Sequence, residues 1–224
     1  MLTLCLDTSG SWLNMAVCSE GRVLVGLSKE IGAGHSEVLM DEMGKLIKDA
    51  GIGLPDIGLL AVTNGPGSFT GLRVGIAFIK GLSTGLGLPA VPMNTLDAMA
   101  CSQPLLQGAI SPMIDAKKKE IYTSLYRMDG GRPARQGDYI SIAPQKWLET
   151  LPQGTVIFGS GEANYRELFA GSGKLQADKE FLASKKMLSG MAVLSSRIYK
   201  DGGAIEADQL DAFYIRSADA ELKH

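Results

Sequence analysis

Histidine is nearly absent from this chain, with only His35 and the terminal His224, and this leaves a single internal imidazole as a base. No Cys/His signature accompanies it, so no nucleophile–base pair stands out. Cysteine is scarce too: Cys5, Cys18 and Cys101 show no CxxC or zinc spacing and lie in apolar settings. They read as reduced, buried thiols of a cytoplasmic protein. Charge of either sign lacks an excess, 22 Lys and Arg against 24 Asp and Glu for a net of −2. No strong field therefore draws the surface to nucleic acid or an anionic membrane, and an RNA contact has to be local or supplied by a partner. Long hydrophobic runs are missing as well. The uncharged stretch from Gly81 to Leu96 is interrupted by Gly85, Gly87, Pro89 and Pro92 and is too short to span a bilayer. The start, MLTLCLDTSG, has no basic region and meets Asp7 early, so neither a secretory leader nor a membrane span is expected.

The 224 residues, 45% of them hydrophobic, suffice for one large domain or two lobes with modest cores. LTLCLD, then TSGS, then WLNMAVCSEGRVLVGLSKE reads as an antiparallel meander with a turn at Glu20-Gly21. From His35 to Ala50, Val38, Leu39, Met43, Leu46, Ile47 and Ala50 recur at helical spacing, and Gly51 ends the helix. IGLLAVTNGPG is a buried strand entering a turn made by Gly65 and Gly67, with Ser68 or Thr70 capping a helix to about Gly85. LPAVPMN is a further strand, and Thr95 is expected to cap a short helix. This first lobe closes near residue 105. QGAISPMIDAKKKEIYTSLYRMDGG then restarts the opening pattern, with Asp115 aligned to Asp7 and EIYTSLYRM as one strand, a degenerate internal repeat. TVIFGSGEANYRELF follows as strand, glycine turn and helix, and a last helix lies around KKMLSGMAVLSSRIYKDG. The architecture expected is α/β, with a mixed sheet in the first lobe.

Asp7, Thr8 and Ser9 end the first strand with a carboxylate and two hydroxyls, a set suited to hydrated magnesium and phosphate oxygens, or equally to satisfying the turn backbone. With Asp115 and the GSGEAN segment containing Gly159 and Gly161, they support a phosphotransferase reading. Neither a P-loop nor a G-x-G-x-x-G is present. In the glycine-rich helix Gly71 and Gly75 are four apart, as are Ala77, Gly81 and Gly85. Each helical glycine costs roughly 1 kcal/mol against alanine, so another backbone is expected to approach closely. A bulky charge at Gly75 or Gly81 is expected to separate subunits without unfolding them. His35 lacks a second metal ligand one turn on, where Leu39 stands; a metallopeptidase rests on that histidine alone. AKKKE with Arg127, Arg132 and Arg135 is either a basic patch or a solvated turn.

LDTSGSWLNMAV, GHSEVLMDEMGKLI, AVTNGPGSFTGLRVGIAFIKGLS, MIDAKKKEIYTSLY and FGSGEANY, in this order over nearly the whole chain, resemble the TsaB (YeaZ-like) family of bacterial tRNA threonylcarbamoyladenosine biosynthesis proteins. The resemblance implies a two-lobed actin-like ATPase fold (ribonuclease H-like) with a mixed five-stranded sheet over residues 1–105 and a reduced second lobe over 106–204. The tail from about 205 to 224 is free to return to the first lobe. It implies a non-catalytic subunit that activates the TsaD-type transferase, which carries the metal through an HxxxH pair whose second position is Leu39 here. A TsaE-type ATPase joins the pair, tRNA is met through the complex, and the chain is expected to be a homodimer in isolation. ATP or ADP with magnesium is implied only at a weak or vestigial site (Asp7, Thr8, Ser9, Asp115, Gly159, Gly161) or at the heteromeric interface. The partner surface is placed on the two first-lobe helices: His35, Val38, Leu39, Met43 and Leu46 of the earlier, and Phe69, Leu72, Arg73, Gly75, Ile76, Phe78 and Ile79 of the glycine-rich one.

Overall fold

A computed structural model describes residues 1–32, 34–103, 107–170, 172, 176–177 and 186–216. The first lobe opens with β1 (Leu2–Asp7), β2 (Trp12–Ser19) and β3 (Arg22–Glu30), joined by antiparallel ladders. Glu20 and Gly21 both have positive φ, the two-residue turn whose twist matches its strands. After α1 (His35–Asp49), β4 (Ile57–Gly65) pairs parallel with β1; after α2 (Phe69–Leu86), β5 (Ala90–Asn94) pairs parallel with β4. The sheet order is β3-β2-β1-β4-β5, and α3 (Thr95–Cys101) leads out of it. Ser68 caps α2 by accepting the Gly71 amide, and Gly87 closes it in the left-handed conformation. Thr95 is not the cap of α3. The Asn94 side chain accepts the Leu96 and Asp97 amides instead, because Asn94 still has extended backbone geometry whereas Thr95 is already helical.

The second lobe repeats the plan with shorter pieces: β6 (Gly108–Asp115), β7 (Ile121–Thr123), β8 (Tyr126–Asp129), β9 (Arg132–Arg135), β10 (Ile140–Ile142), α4 (Pro144–Thr150), β11 (Val156–Phe158), α5 (Ser160–Asn164), α6 (Arg166–Ala170) and β12 (Gln176–Ala177). Its order, β10-β7-β6-β11-β12, places β6 between an antiparallel and a parallel neighbour, as β1 is placed in the first lobe. The single strand expected over EIYTSLYRM is two. Its first half pairs with the end of β6 and its second half with the start, and the break falls opposite Pro112, which has no amide to donate.

Three apolar clusters separate the layers. Leu4, Leu6, Leu13 and Met15 face α1 and α2; on the other side of the same sheet, Cys5, Ala16 and Leu59 face α3 and α7 (Lys186–Lys200), which also meet Ile110, Tyr126 and Phe158 of the second sheet; Met113, Trp147 and Phe169 fill the far side under α4 to α6. Sequence order assigns α7 to the 106–204 lobe, yet it packs on α3 and on β1, β2, β3 and β5 of the first. Gly190 makes this possible, since a Cβ there would collide with the Ala98 carbonyl of α3. The chain then crosses back: Ile205 and Ala90 exchange both backbone hydrogen bonds, Leu210 is fully buried under α2, and the Phe213 amide donates to Asn64 O at 2.7 Å. Arg216 ends the described tail on the second lobe, donating to Glu120 at 2.8 Å and to Ala116 O. The lobe boundary near 105 and the tail beyond 216 lie outside the described residues.

Candidate functional site

Between the lobes lies a cleft of about 250 Å³, lined among others by Asp7, Ser9, Trp12, Asn14 and Glu30 of the first lobe, Ile114 and Ser160 of the second, and Met187 of α7. Asp7 is 4% exposed at the end of β1. Its Oδ1 accepts the Ser9 amide at 3.0 Å and the Thr63 hydroxyl at 2.6 Å, and its Oδ2 accepts Asn14 Nδ2 at 2.9 Å. Thr8 turns away from the cleft and donates to Gly71 O at 2.7 Å. Asp115 holds the matching place at the end of β6: Oδ1 accepts the Lys117 amide at 3.0 Å, and Oδ2 accepts Lys117 Nζ at 2.7 Å and Asn164 Nδ2 at 2.8 Å. Gly159 and Gly161 are packing glycines. A Cβ at Gly159 would strike the Met113 carbonyl, and one at Gly161 would sit 2.8 Å from Met113 Cβ.

Of the six residues expected to hold a nucleotide, only Asp7 and Ser9 line the cleft. The fit to a magnesium triphosphate is poor. Both aspartates are spent on protein donors, Thr8 is spent on α2, and the lining carries the carboxylates of Asp7 and Glu30 with no lysine or arginine to oppose phosphate charge. Its volume also lies below the roughly 300–1,000 Å³ typical of sites for drug-sized ligands. His35 is buried at the start of α1 with Nε2 3.4 Å from Trp12 O, and Leu39 one turn on lies in the core. Among the described residues, no group of three or more His, Cys, Asp or Glu is arranged to hold a metal ion.

The outer side of α1 and α2 is the second candidate site, and here the structure corrects the residues expected from sequence. Leu39, Met43, Leu46, Leu72, Ile76 and Ile79 are buried beneath the helices, as are His35 and Gly75, while Val38 and Phe78 are half-buried against the same core. Apolar positions at helical spacing mark the face a helix turns to its own sheet, so this stripe was already occupied. Gly75 meets Thr8 of the same chain: a Cβ there would collide with the Thr8 hydroxyl, as one at Gly71 would with the Thr8 carbonyl. The close approach that the α2 glycines permit is therefore intramolecular for these two. Ala77, Gly81 and Gly85 continue along the exposed side, and Cβ atoms at Gly81, Gly85 and Gly44 of α1 would have nothing within 4 Å. Met40, 63% exposed, stands one turn before Gly44. Phe69 and Arg73 are at the surface as expected, the guanidinium 3.8 Å from the Phe69 ring centroid and donating to Tyr214 OH at 3.3 Å. Glu42 ties α1 to the sheet, and Lys29 and Lys45, at 3.0 and 3.1 Å, hold its carboxyl below the usual carboxylate range. The signal for the outer stripe was present in the spacing of Ala77, Gly81 and Gly85. What sequence could not supply was which of two glycine sets faces out.

The family described as "TsaD: tRNA N6-adenosine threonylcarbamoyltransferase" matches residues 29–187. A tRNA threonylcarbamoyladenosine biosynthesis protein TsaB from Bacillus subtilis is 28% identical over 231 residues, covering 100% of this chain and 97% of its own. Its counterpart from Haemophilus influenzae is 33% identical, with 96% and 93% covered. In structure the chain is similar to YeaZ from Pseudomonas aeruginosa, with a TM-score of 0.79, 25% identity, and 95% and 99% of the two chains covered. A putative N-acetylmannosamine kinase from Listeria monocytogenes, with a TM-score of 0.52 at 13% identity and 89% and 100% covered, shares the fold alone. The two-lobed actin-like ATPase fold expected from the sequence is thereby borne out.

Proposed function

Since the chain belongs to the TsaB (YeaZ) family within the threonylcarbamoyltransferase group, and so takes part in tRNA threonylcarbamoyladenosine biosynthesis, we propose that it is a non-catalytic subunit that binds and activates the TsaD-type transferase. The observation that carries this reading is the outer side of α1 and α2, where Met40, Gly44, Ala77, Gly81 and Gly85 leave room for the backbone of another helix. The same face serves a homodimer when the partner is missing, and a TsaE-type ATPase joins the heterodimer. Transfer to the adenosine beside the anticodon takes place on the partner, and tRNA is met through the complex, in the cytoplasm. Among the described residues, no helix is long and apolar enough to cross a membrane.

The chain has no cofactor of its own in this reading; a magnesium nucleotide belongs to the interface with the transferase. Gly81→Arg tests the proposal. Size-exclusion chromatography and pull-down with the TsaD-type partner should show complex formation weakened at least tenfold with an unchanged circular dichroism spectrum. An intact complex, or threonylcarbamoyladenosine formed on tRNA by the purified chain alone, counts against the proposal. Calorimetry with magnesium ATP addresses the rival phosphotransferase reading, which requires tight binding lost in Asp7→Ala.

A further inference from the structure

A second pocket, of about 200 Å³, opens behind α3, away from the interlobe cleft. It is lined by Asp97 and Cys101 of α3, Tyr126 of β8, Arg135 of β9, Tyr139, and Arg197 of α7. The Asp97 carboxylate is satisfied within the wall, accepting Tyr126 OH on Oδ1 and Tyr139 OH on Oδ2, both at 2.7 Å. Those two hydroxyls direct their hydrogens at Asp97 and have none left for a ligand. Burial and the adjacent Asp97 charge push both phenols up, and burial pushes the Cys101 thiol up to about 11, so all three are neutral near pH 7.

The donors that remain are two guanidiniums. Arg135 lies 4.2 Å from the Tyr139 ring centroid and donates to Gly137 O, and no carboxylate of a described residue pairs with it. Arg197 is half-buried in the last turn of α7, and its guanidinium has no hydrogen bond or ion pair with any described residue. Two cations against the single Asp97 charge leave the pocket with one positive charge in excess. A partly desolvated arginine without a partner is costly, and its planar fork matches tetrahedral oxyanions.

We propose that this pocket is a binding site for a phosphate dianion or a terminal phosphate group, held between Arg197 and Arg135. The size favours the phosphate group itself over an enclosed nucleotide. The site is remote from the outer faces of α1 and α2, so it stands or falls independently of the partner-binding reading.

The test is titration of the full chain with inorganic phosphate and, separately, with adenosine monophosphate, followed by ³¹P line width and thermal shift. Both probes should bind saturably, with affinity at least tenfold weaker in Arg197→Ala, at least threefold weaker in the exposed-hairpin variant Arg135→Gln, and within about threefold of wild type in Arg197→Lys. Equal affinity for the two probes marks the free ion as the ligand; tighter binding of the monophosphate marks a phosphate carried on a larger molecule. Absence of saturation with both probes, or wild-type affinity in Arg135→Gln and Arg197→Ala, overturns the assignment.

Discussion

The turn after Asp7 and the turn after Asp115 are two versions of one device. In each, a carboxylate at the end of the central strand accepts the amide two residues on and an asparagine side chain on its other oxygen. They differ in what presses on them. The first is clamped by the eighteen-residue α2: the Ser68 amide donates to Ser9 O, Thr8 donates to Gly71 O, and Gly71 and Gly75 lie against Thr8. The second meets the five-residue α5, whose Ser160 hydroxyl accepts the Asp115 amide, and the Arg216 side chain of the tail, which donates to Ala116 O and Glu120. It is held from within by Lys117, in a run where Lys117, Lys118 and Lys119 all adopt left-handed backbone. Left-handed lysines are unfavourable by roughly 1–2 kcal/mol each. The same local hydrogen bonds thus make a buried strut under a long helix and a strained, solvent-facing loop under a short one.

Mutations should split the two turns by magnitude. Asp7→Ala strands the Ser9 amide, the Thr63 hydroxyl and the Asn14 amide in a buried site, and should destabilise by about 4 kcal/mol in urea unfolding. Gly75→Ala forces Thr8 off α2 and should cost about 2 kcal/mol, whereas Gly81→Ala on the open side of the same helix should gain up to about 1 kcal/mol. Opposite signs in thermal melts would establish which side of α2 is committed. Asp115→Ala should cost only about 1 kcal/mol, because Lys117 is 83% exposed; a loss matching Asp7→Ala would erase the distinction.

The smallest effect is in pH. The Asp115 carboxylate raises the Lys117 pKa above its ordinary 10.5, so the folded state holds that proton more tightly than the unfolded one. The contribution is complete below about pH 10.5 and is lost as pH rises through the raised value. The stability gap between wild type and Lys117→Met should therefore narrow as pH rises above about 10.5, while the gap for Asn14→Ala at the first turn does not move with it.

What sequence made legible was what local chemistry decides. The helical period of Leu39, Met43 and Leu46, the Ser68 cap and the Glu20-Gly21 turn all stand where the spacing puts them. The repeat of Asp7 in Asp115 was visible because each ends an apolar strand before a polar turn. What stayed hidden depends on contacts distant along the chain. The break in the second-lobe strand is decided by Pro112 on its neighbour, the lodging of α7 against the first sheet by Gly190 at Ala98, and the inward or outward facing of the α2 glycines by Thr8, more than sixty residues earlier. The candidate partner surface suffered most. Its best apolar residues were core, and its exposed glycines carry no side chain to announce them.

The lodging of α7 also bears on how the chain is made. Met187, Leu188 and Met191 cover a face of the first sheet that Cys5, Ala16 and Cys18 present, and Cys5 meets Ser195 across 190 positions of chain. At roughly 5–20 residues per second, a ribosome takes on the order of 8–35 s to travel from the end of β3 to the end of α7. For that interval the N-terminal meander exists outside the exit tunnel with one apolar face uncovered. A nascent chain in this condition is a natural client for a holdase, and synonymous codon changes that slow translation between residues 31 and 185 lengthen its exposure.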